Sequence, residues 1–347
     1  MNADNPFDFF FQLHLTERCN LKCLHCYQGG RPAIEMSPEE IDRTITILSE
    51  TISQWSELYE IPFSASVNVT GGEPFLRPDL SRILSSLHRH NFDLYILTNG
   101  TLVDQRDVSM LAQIPVKGVQ VSLEGPEKVH DEIRGEGSFQ SAIRGVTRLL
   151  SQHLRVTLNL TLSALNVDHI EEVASLGLSL GVQRIGFSRL VPSGRGLGLI
   201  DSMLSKEKVR EAYARIRSMN ISGLDIVTGD PMYSCATDNG PSENRTIAFG
   251  GCSAGVSGLT ILPDGTILPC RRLNISLGNI LKDNVRTIWA TSPVLSALRN
   301  KKKYKGKCGA CDRWAQCRGC RAIAYQYALS KGKDSYLSED PQCFVGE

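Results

Sequence analysis

Three things are scarce in this chain, and each scarcity closes off a class of function. Charge of one sign is the first: 38 Lys and Arg stand against 37 Asp and Glu, a net of +1. A chain so balanced lacks the field of a general nucleic-acid binder or of a polybasic membrane-surface protein. Long apolar runs are the second, because none approaches the ~20 residues that span a bilayer. A secretory signal is the third: Met1-Asn2-Ala3-Asp4 carries no basic region. Internal repeats and low-complexity tracts are missing too. The expectation is a cytoplasmic protein without nucleic-acid or membrane partners. The 347 residues leave room for more than one domain. Hydrophobic and charged fractions of 41% and 22% are those of an ordinary globular chain.

Cysteine is what the chain has in plenty. Eleven of them, in a chain with no export signal, read as metal ligands or redox groups and not as a disulfide framework.

The first two hundred residues alternate strand-like runs with amphipathic stretches. Strands are expected at 9–15, 66–70, 94–98, 119–123, 156–162 and 184–187. The first helix is announced by Ser37-Pro38-Glu39-Glu40, an N-cap Ser, Pro at the first helical position and Glu three residues after the cap. Ile41, Ile45 and Leu48 follow at helical spacing. Further helices are expected near 79–90, 104–113, 139–151 and 167–180. About six βα units imply a mostly parallel sheet with helices outside. Short of eight strands, the α/β architecture expected is an open, partial (β/α)6 barrel. Barrels of this kind carry their sites in the loops at the strand C-terminal ends. The unusual residues fall there: cysteines after the first strand, Gly71-Gly72-Glu73-Pro74 after the second, Thr98-Asn99-Gly100 after the third, and Ser122-Leu123-Glu124-Gly125 after the fourth.

Composition shifts beyond about residue 190. A glycine-rich segment at 194–198 and a helix at 206–219 lead into loops, short strands and eight cysteines. The expected division is a core at 1–200, a bridging helix and linker at 201–230, and a cysteine-rich C-terminal domain at 231–347. Lys301, Lys302, Lys303, Lys305 and Lys307 form either a solvated face or a lure for an acidic substrate.

Cys19-x3-Cys23-x2-Cys26 lies directly after the first strand. Three thiolates at this spacing can hold three irons of a [4Fe–4S] cube and leave the fourth open. Zinc would need a fourth ligand, such as His25, to complete a tetrahedron. Unligated buried thiols are the remaining alternative.

The segment Thr16-Glu-Arg-Cys-Asn-Leu-Lys-Cys-Leu-His-Cys-Tyr27 resembles the signature loop of the radical SAM superfamily. Gly71-Gly72-Glu73-Pro74 is similar to that family's motif for the methionine amino group of S-adenosylmethionine (SAM). The resemblance runs from residue 10 to about 190. It implies that the open iron chelates SAM and that one electron from the reduced cluster splits the S–C5′ bond. A 5′-deoxyadenosyl radical results, which takes hydrogen from an otherwise inert C–H bond. By the same resemblance, the glycines let backbone approach SAM, and Glu73 is a negative partner for its ammonium. Tyr27 lies next to the adenine, Ser122 and Glu124 bond polar groups of SAM, and Arg134 pairs with its carboxylate. Many relatives have Asp where this chain has Glu124. A helix-end ion pair for Arg134 and simple packing for Tyr27 are the plainer alternatives.

The later cysteines are Cys235, Cys252, Cys270, Cys308, Cys311, Cys317, Cys320 and Cys343. The five residues between Cys311 and Cys317 are few for a zinc ribbon, whose two Cys-x2-Cys knuckles usually stand ~15–20 residues apart. The order Gly265-x4-Cys270, then Cys308 to Cys320, then Cys343 after Glu339-Asp340-Pro341 resembles the SPASM extension of radical SAM enzymes. That extension houses auxiliary [4Fe–4S] clusters, two of which are expected here. By that resemblance Cys308, Cys311, Cys317 and Cys343 hold an outer cluster, and Cys252, Cys270 and Cys320 an inner one. Two departures stand out. Gly258 occupies a position where relatives commonly have cysteine, and the last pair is spaced x2 where many have x3. Counting makes Cys235 the fourth inner ligand; the rival is an open inner iron with Cys235 free or a catalytic thiol.

The resemblance implies an oxygen-sensitive maturase that oxidises or crosslinks a side chain of a peptide or partner protein. A small redox protein would supply electrons. Only 18 residues precede Cys19, so a leader-binding domain is expected as a separate protein. Some relatives carry an Asp base where this chain has Arg271. The alternative substrate is a haem-pathway tetrapyrrole, because Cys317-Arg-Gly-Cys-Arg-Ala322 is similar to segments of such enzymes and propionates suit Arg271 or Arg272. A non-enzymatic electron carrier or zinc scaffold leaves the Gly-Gly-Glu-Pro loop without a purpose.

Overall fold

The computed structural model describes residues 7–29, 34–236, 247–248 and 250–346. Residues 1–4 lie outside this range. Seven strands run parallel in chain order: β1 Phe7–His14, β2 Phe63–Thr70, β3 Asp93–Thr98, β4 Val116–Ser122, β5 Val156–Leu162, β6 Arg184–Arg189 and β7 Asp225–Thr228. The helices between them are α1 Pro38–Tyr59, α2 Leu80–Arg89, α3 Gln105–Gln113, α4 Glu127–Arg134, α5 Ser138–Ser151, α6 Ile170–Leu180 and α7 Lys206–Ser218. All six expected strands and all the expected helices are present. The sheet is not closed, so the α/β partial barrel stands.

The strands alternate in a sense opposite to a half-solvated sheet. In β4 and β5 the fully buried side chains are Val119, Val121, Leu158 and Leu160. The residues between them, Gln120, Ser122, Asn159 and Thr161, line a cavity. A period of two thus sends apolar groups into the core and polar groups to the hollow side.

Ser37 accepts from the Glu40 N–H at 3.2 Å, and the Glu40 carboxylate accepts from the Ser37 N–H at 2.8 Å. The helix so capped, α1, buries Ile41, Ile45, Leu48 and Trp55. The Trp55 ring meets Phe9 at 5.0 Å and Trp289 at 5.7 Å, joining the core to the C-terminal domain.

Three features were not foreseen. Helix α4, eight residues ending at Arg134, is too short for its periodicity to register. The stretch expected as a linker contains β7, paired to β6 from Arg184↔Asp225 to Phe187↔Thr228. The C-terminal domain also adds strands to the same sheet. β8 Gly258–Ile261 runs parallel to β1, followed by β9 Thr266–Leu268 and β10 Gly278–Asn279, for ten strands in all among the described residues. Four helices complete it: α8 Val285–Thr291, α9 Pro293–Leu298, α10 Lys307–Ala310 and α11 Arg321–Ser330. Among the described residues no helix is long and apolar enough to cross a membrane.

The register of β8 explains one departure. Gly258 pairs with Phe10, and a Cβ there would lie 2.6 Å from that ring. Any side chain, cysteine included, would displace the ring.

Candidate active site

The strand C-terminal ends surround a cavity of about 140 Å³. Cys19, Cys23 and Cys26 line it together with Tyr27, Gly71, Gly72, Ser122 and Arg134. Their loop is clamped from several sides. Gly72 N–H donates to Thr16 O at 2.7 Å and Glu73 N–H to Arg18 O at 2.9 Å. A Cβ on Gly72 would sit 2.0 Å from Arg18 O, so only glycine allows this approach. Leu24 N–H donates to Ile133 O at 2.8 Å, and Gly196 N–H to Cys26 O at 3.1 Å. Arg195 Nε donates to Cys23 O at 3.0 Å. Asn99, from the loop after β3, reaches Asn20 at 2.9 Å and lies 3.9 Å from Cys19 Sγ.

Two acidic residues expected to touch SAM are engaged by other protein groups. Glu73 is wholly buried beneath the cavity, not on its wall. Its carboxylate accepts from Thr98 Oγ1 and Asn99 N–H, both at 2.8 Å, and from Phe75 N–H at 3.2 Å. Burial lifts its pKa to about 7, against the lowering effect of those bonds. Glu73 therefore braces two loops against each other, and what the motif turns toward the cavity is backbone at Gly71 and Gly72. Pro74 likewise starts a buried 3-10 turn and does not line the cavity.

Glu124 is the second. It accepts from Arg134 Nε at 3.0 Å and Nη2 at 2.5 Å, from Thr161 N–H at 2.8 Å, and lies 3.3 Å from His25 Nε2. Burial alone would raise its pKa; the Arg134 charge and then His25 overcome that and hold it well below the carboxylate range. A carboxylate so engaged is the counter-ion that positions Arg134. The Arg134 Nη1 in turn stands 3.7 Å from Cys23 Sγ. Burial pushes the Cys23 thiol up while Arg134 pulls it down, and a cation there favours the thiolate, the ligating form.

Tyr27 lines the cavity beneath Arg271, whose guanidinium carbon lies 5.6 Å from the ring centroid. Among the described residues no Asp or Glu lines the cavity, whereas Arg134, Arg189, Arg195, Arg271 and Arg272 do. Arg134 is neutralised by Glu124, and Arg189 by Asp230 and Asp340. Among the described residues neither Arg271 nor Arg272 has a carboxylate partner, and the buried Arg272 Nε has no hydrogen-bond acceptor. Sequence reasoning passed over Arg195, Asn159 and Thr161. Asn159 and Thr161 lie within β5 and Arg195 in the glycine-rich segment after β6, and none belongs to a motif that marks it.

The later thiols fall into two places. Cys308, Cys311, Cys317, Cys343 and Cys235 line a second cavity of about 500 Å³. Cys270 and Cys320 stand near Arg272, whose positive charge their thiols reinforce. The x2 spacing between Cys317 and Cys320 is spanned by a tight left-handed turn, with φ of 62° at Arg318 and 61° at Gly319. That turn sends one cysteine to each place. Arg321 Nη2 lies 3.8 Å from Cys308 Sγ. Among the described residues no three His, Cys, Asp or Glu groups converge on a point fit for one metal ion.

A family model described as the radical SAM superfamily matches residues 13–177, and one for an iron–sulfur cluster-binding domain, SPASM, matches 252–321. The chain belongs to the radical SAM superfamily. Its C-terminal part is a SPASM domain. SAM and a [4Fe–4S] cluster are its core cofactors, and the SPASM domain carries auxiliary iron–sulfur clusters. The chain is 27% identical to an AdoMet-dependent heme synthase of Methanosarcina barkeri, over 95% of this chain and 94% of that one. It is 28% identical to the mycofactocin maturase MftC of Mycolicibacterium smegmatis, over 96% of this chain and 81% of the relative. Its fold is similar to Streptococcus suis SuiB bound to S-adenosylmethionine, with a TM-score of 0.73 at 19% identity, over 98% of this chain and 78% of that one.

Proposed function

We propose that this radical SAM/SPASM enzyme is an oxidoreductase of the maturase kind, acting on a peptide or protein side chain beside a carboxylate. The observation that carries the reading is the pair Arg271 and Arg272. Both line a cavity without a single Asp or Glu, and neither has a carboxylate partner among the described residues. A guanidinium in that setting is completed by a substrate anion, best by a bidentate carboxylate.

Cys19, Cys23 and Cys26 are the thiols for the SAM cluster, with Arg134 as the cation beside them. When bound, SAM and its reduced cluster supply a 5′-deoxyadenosyl radical that takes a hydrogen atom from the substrate. The chain's part is to hold the C–H bond at the cavity and keep water out. Cys26 and Tyr27 line the same cavity as Arg271 and Arg272, the two residues that follow Cys270. The two cluster regions are thus near neighbours. That proximity supports a two-electron oxidation, for which an auxiliary cluster, when bound, would serve as acceptor of the second electron.

Similarity to haem synthases favours a second substrate, a propionate-bearing tetrapyrrole, which the same arginines would hold. One experiment separates the readings. Anaerobically reconstituted protein would be given SAM and dithionite with synthetic peptides from short reading frames beside the gene, as free acids and as C-terminal amides. Parallel reactions would take iron coproporphyrin III and its methyl ester. Expected is 5′-deoxyadenosine with a matching mass loss for an acid-form peptide only. Turnover of the tetrapyrrole acid would establish the second reading. Equal turnover of amide or ester would refute the carboxylate contact.

A further inference from the structure

Eight cysteines serve the auxiliary clusters, and they divide unevenly. Counting by sequence order assigns Cys235 to the inner set with Cys252, Cys270 and Cys320. The folded chain brings it to the other. Cys235 lines the 500 Å³ cavity with Cys308, Cys311, Cys317 and Cys343, whereas Cys252, Cys270 and Cys320 do not line it. Cys235 and Cys317 thus share the wall of one hollow.

The placement is fixed by backbone. Residues Tyr233–Ala236 form a 3-10 turn, in which Cys235 N–H donates to Met232 O at 2.9 Å. Its carbonyl accepts from Arg313 Nη1 at 3.3 Å. Arg313 belongs to the loop joining Cys311 to Cys317, so the turn is tied to the very segment that carries two of the other thiols. Tyr233 packs edge-on against the buried Tyr213 of α7 at 5.5 Å, anchoring the turn from behind.

A [4Fe–4S] cube takes four thiolates. Five thiols around one hollow is one more than that. We propose that Cys235 and Cys317 are interchangeable ligands of the outer cluster, one bound to iron while the other stands beside it. The exchange balances without any redox change. With a cluster bound, a Cys235–iron bond would replace the Cys317–iron bond, and the proton of Cys235 would pass to the Cys317 sulfur. The Gly319 N–H, 3.3 Å from Cys317 Sγ, steadies that sulfur in either state. A corollary concerns the inner set. With Cys235 committed outward and Gly258 closed off by Phe10, three protein thiols remain there.

The inference rests on the C-terminal domain holding auxiliary clusters. Its test counts iron and acid-labile sulfide and records electron paramagnetic resonance of the dithionite-reduced protein. The variants are Cys235→Ala, Cys317→Ala, their double, Cys317→Ser, and Cys270→Ala as a marker of the inner-cluster signal. Wild type is expected near twelve irons per chain. Cys235→Ala and Cys317→Ala should each keep that number, with the outer-cluster signal shifted in one of them. The double variant, left with Cys308, Cys311 and Cys343, should show an altered outer-cluster signal that neither single variant shows, as expected of a cube with one open iron. Loss of about four irons in both Cys317→Ala and Cys317→Ser, with Cys235→Ala unchanged, would overturn the exchange. So would a Cys235→Ala spectrum altered in the same signal that Cys270→Ala removes. The SAM-site irons and SAM cleavage report folding in every variant, because none of the substituted residues lines that site's cavity. Loss of all auxiliary iron from wild type would instead refute the cluster assignment itself.

Discussion

Arg189 offers the sharpest test of how the two domains hold together. At the end of β6, its guanidinium is fully buried between two carboxylates. It donates to Asp230 at 2.8 and 3.1 Å, to Asp340 at 3.0 and 2.8 Å, and to Gln342 Oε1 at 2.9 Å. Asp230 and Asp340 are 4% and 0% exposed. Arg189→Gln would leave two buried carboxylates without their cation. Breaking a buried pair by removing one partner costs about 3–5 kcal/mol; with two orphaned anions the upper half of that range is expected. Asp340→Asn is milder, because Arg189 keeps Asp230; losing charge-assisted bonds costs about 1.5–3 kcal/mol. The assay is anaerobic guanidinium unfolding of the apoprotein, followed by tryptophan fluorescence. Asp340 Oδ2 also accepts the Cys320 N–H at 2.8 Å, so both variants should lose auxiliary iron before SAM-site iron. An Arg189→Gln variant within about 1 kcal/mol of wild type would refute the reasoning. So would an Asp340→Asn variant that is the less stable of the two.

Other outcomes follow from the site and its surroundings. Gly72→Ala, whose Cβ would sit 2.0 Å from Arg18 O, should shift the Cys19 loop and abolish SAM cleavage, at about 1–3 kcal/mol of overpacking; unchanged cleavage would contradict the close approach. His130 is buried, accepts the Glu124 N–H at 3.2 Å, and has its pKa lowered from 6.5 to about 4, by burial first and the Arg134 charge next. Its contribution is whole above pH 6.5 and is lost as pH falls toward 4, at most roughly 3 kcal/mol. His130→Gln should flatten that part of the acid limb, and an unaltered limb would dismiss the group. Oxidative removal of all iron should raise amide exchange in α10 and in residues 311–320 far more than in β2 to β5. Uniform exchange would mean that the thiol-lined hollows hold their shape without their contents.

Much of this molecule was legible because its signals are local. Ser37 and Glu40 cap a helix through residues three apart, and the cysteines after β1 and the glycines after β2 are marked by their neighbours in sequence. The parallel order of the strands followed from the same alternation. What escaped reading depends on residues far apart. The engagement of Glu124 by Arg134 and Thr161 needs a short helix and a strand brought to one point. The glycine at 258 is explained only by a ring 248 positions earlier, at Phe10. Cys235 is a like case: order along the chain says which thiols come first, and the backbone turn at Tyr233–Ala236 decides which hollow Cys235 faces.

The pairing of β8 with β1 also bears on how such a protein can be re-engineered. Because the two parts share one continuous sheet, the C-terminal part is not a cassette. A graft from another enzyme must supply a strand that continues the ladder from Phe10↔Gly258 to Leu13↔Ile261 and a residue without a side chain opposite Phe10. Chimeras joined only at the covalent linker would leave the edge of β1 bare, and bare edges recruit other chains. Transplants that include residues 256–261 and keep glycine at 258 should stay monodisperse, whereas those cut after 262 should aggregate.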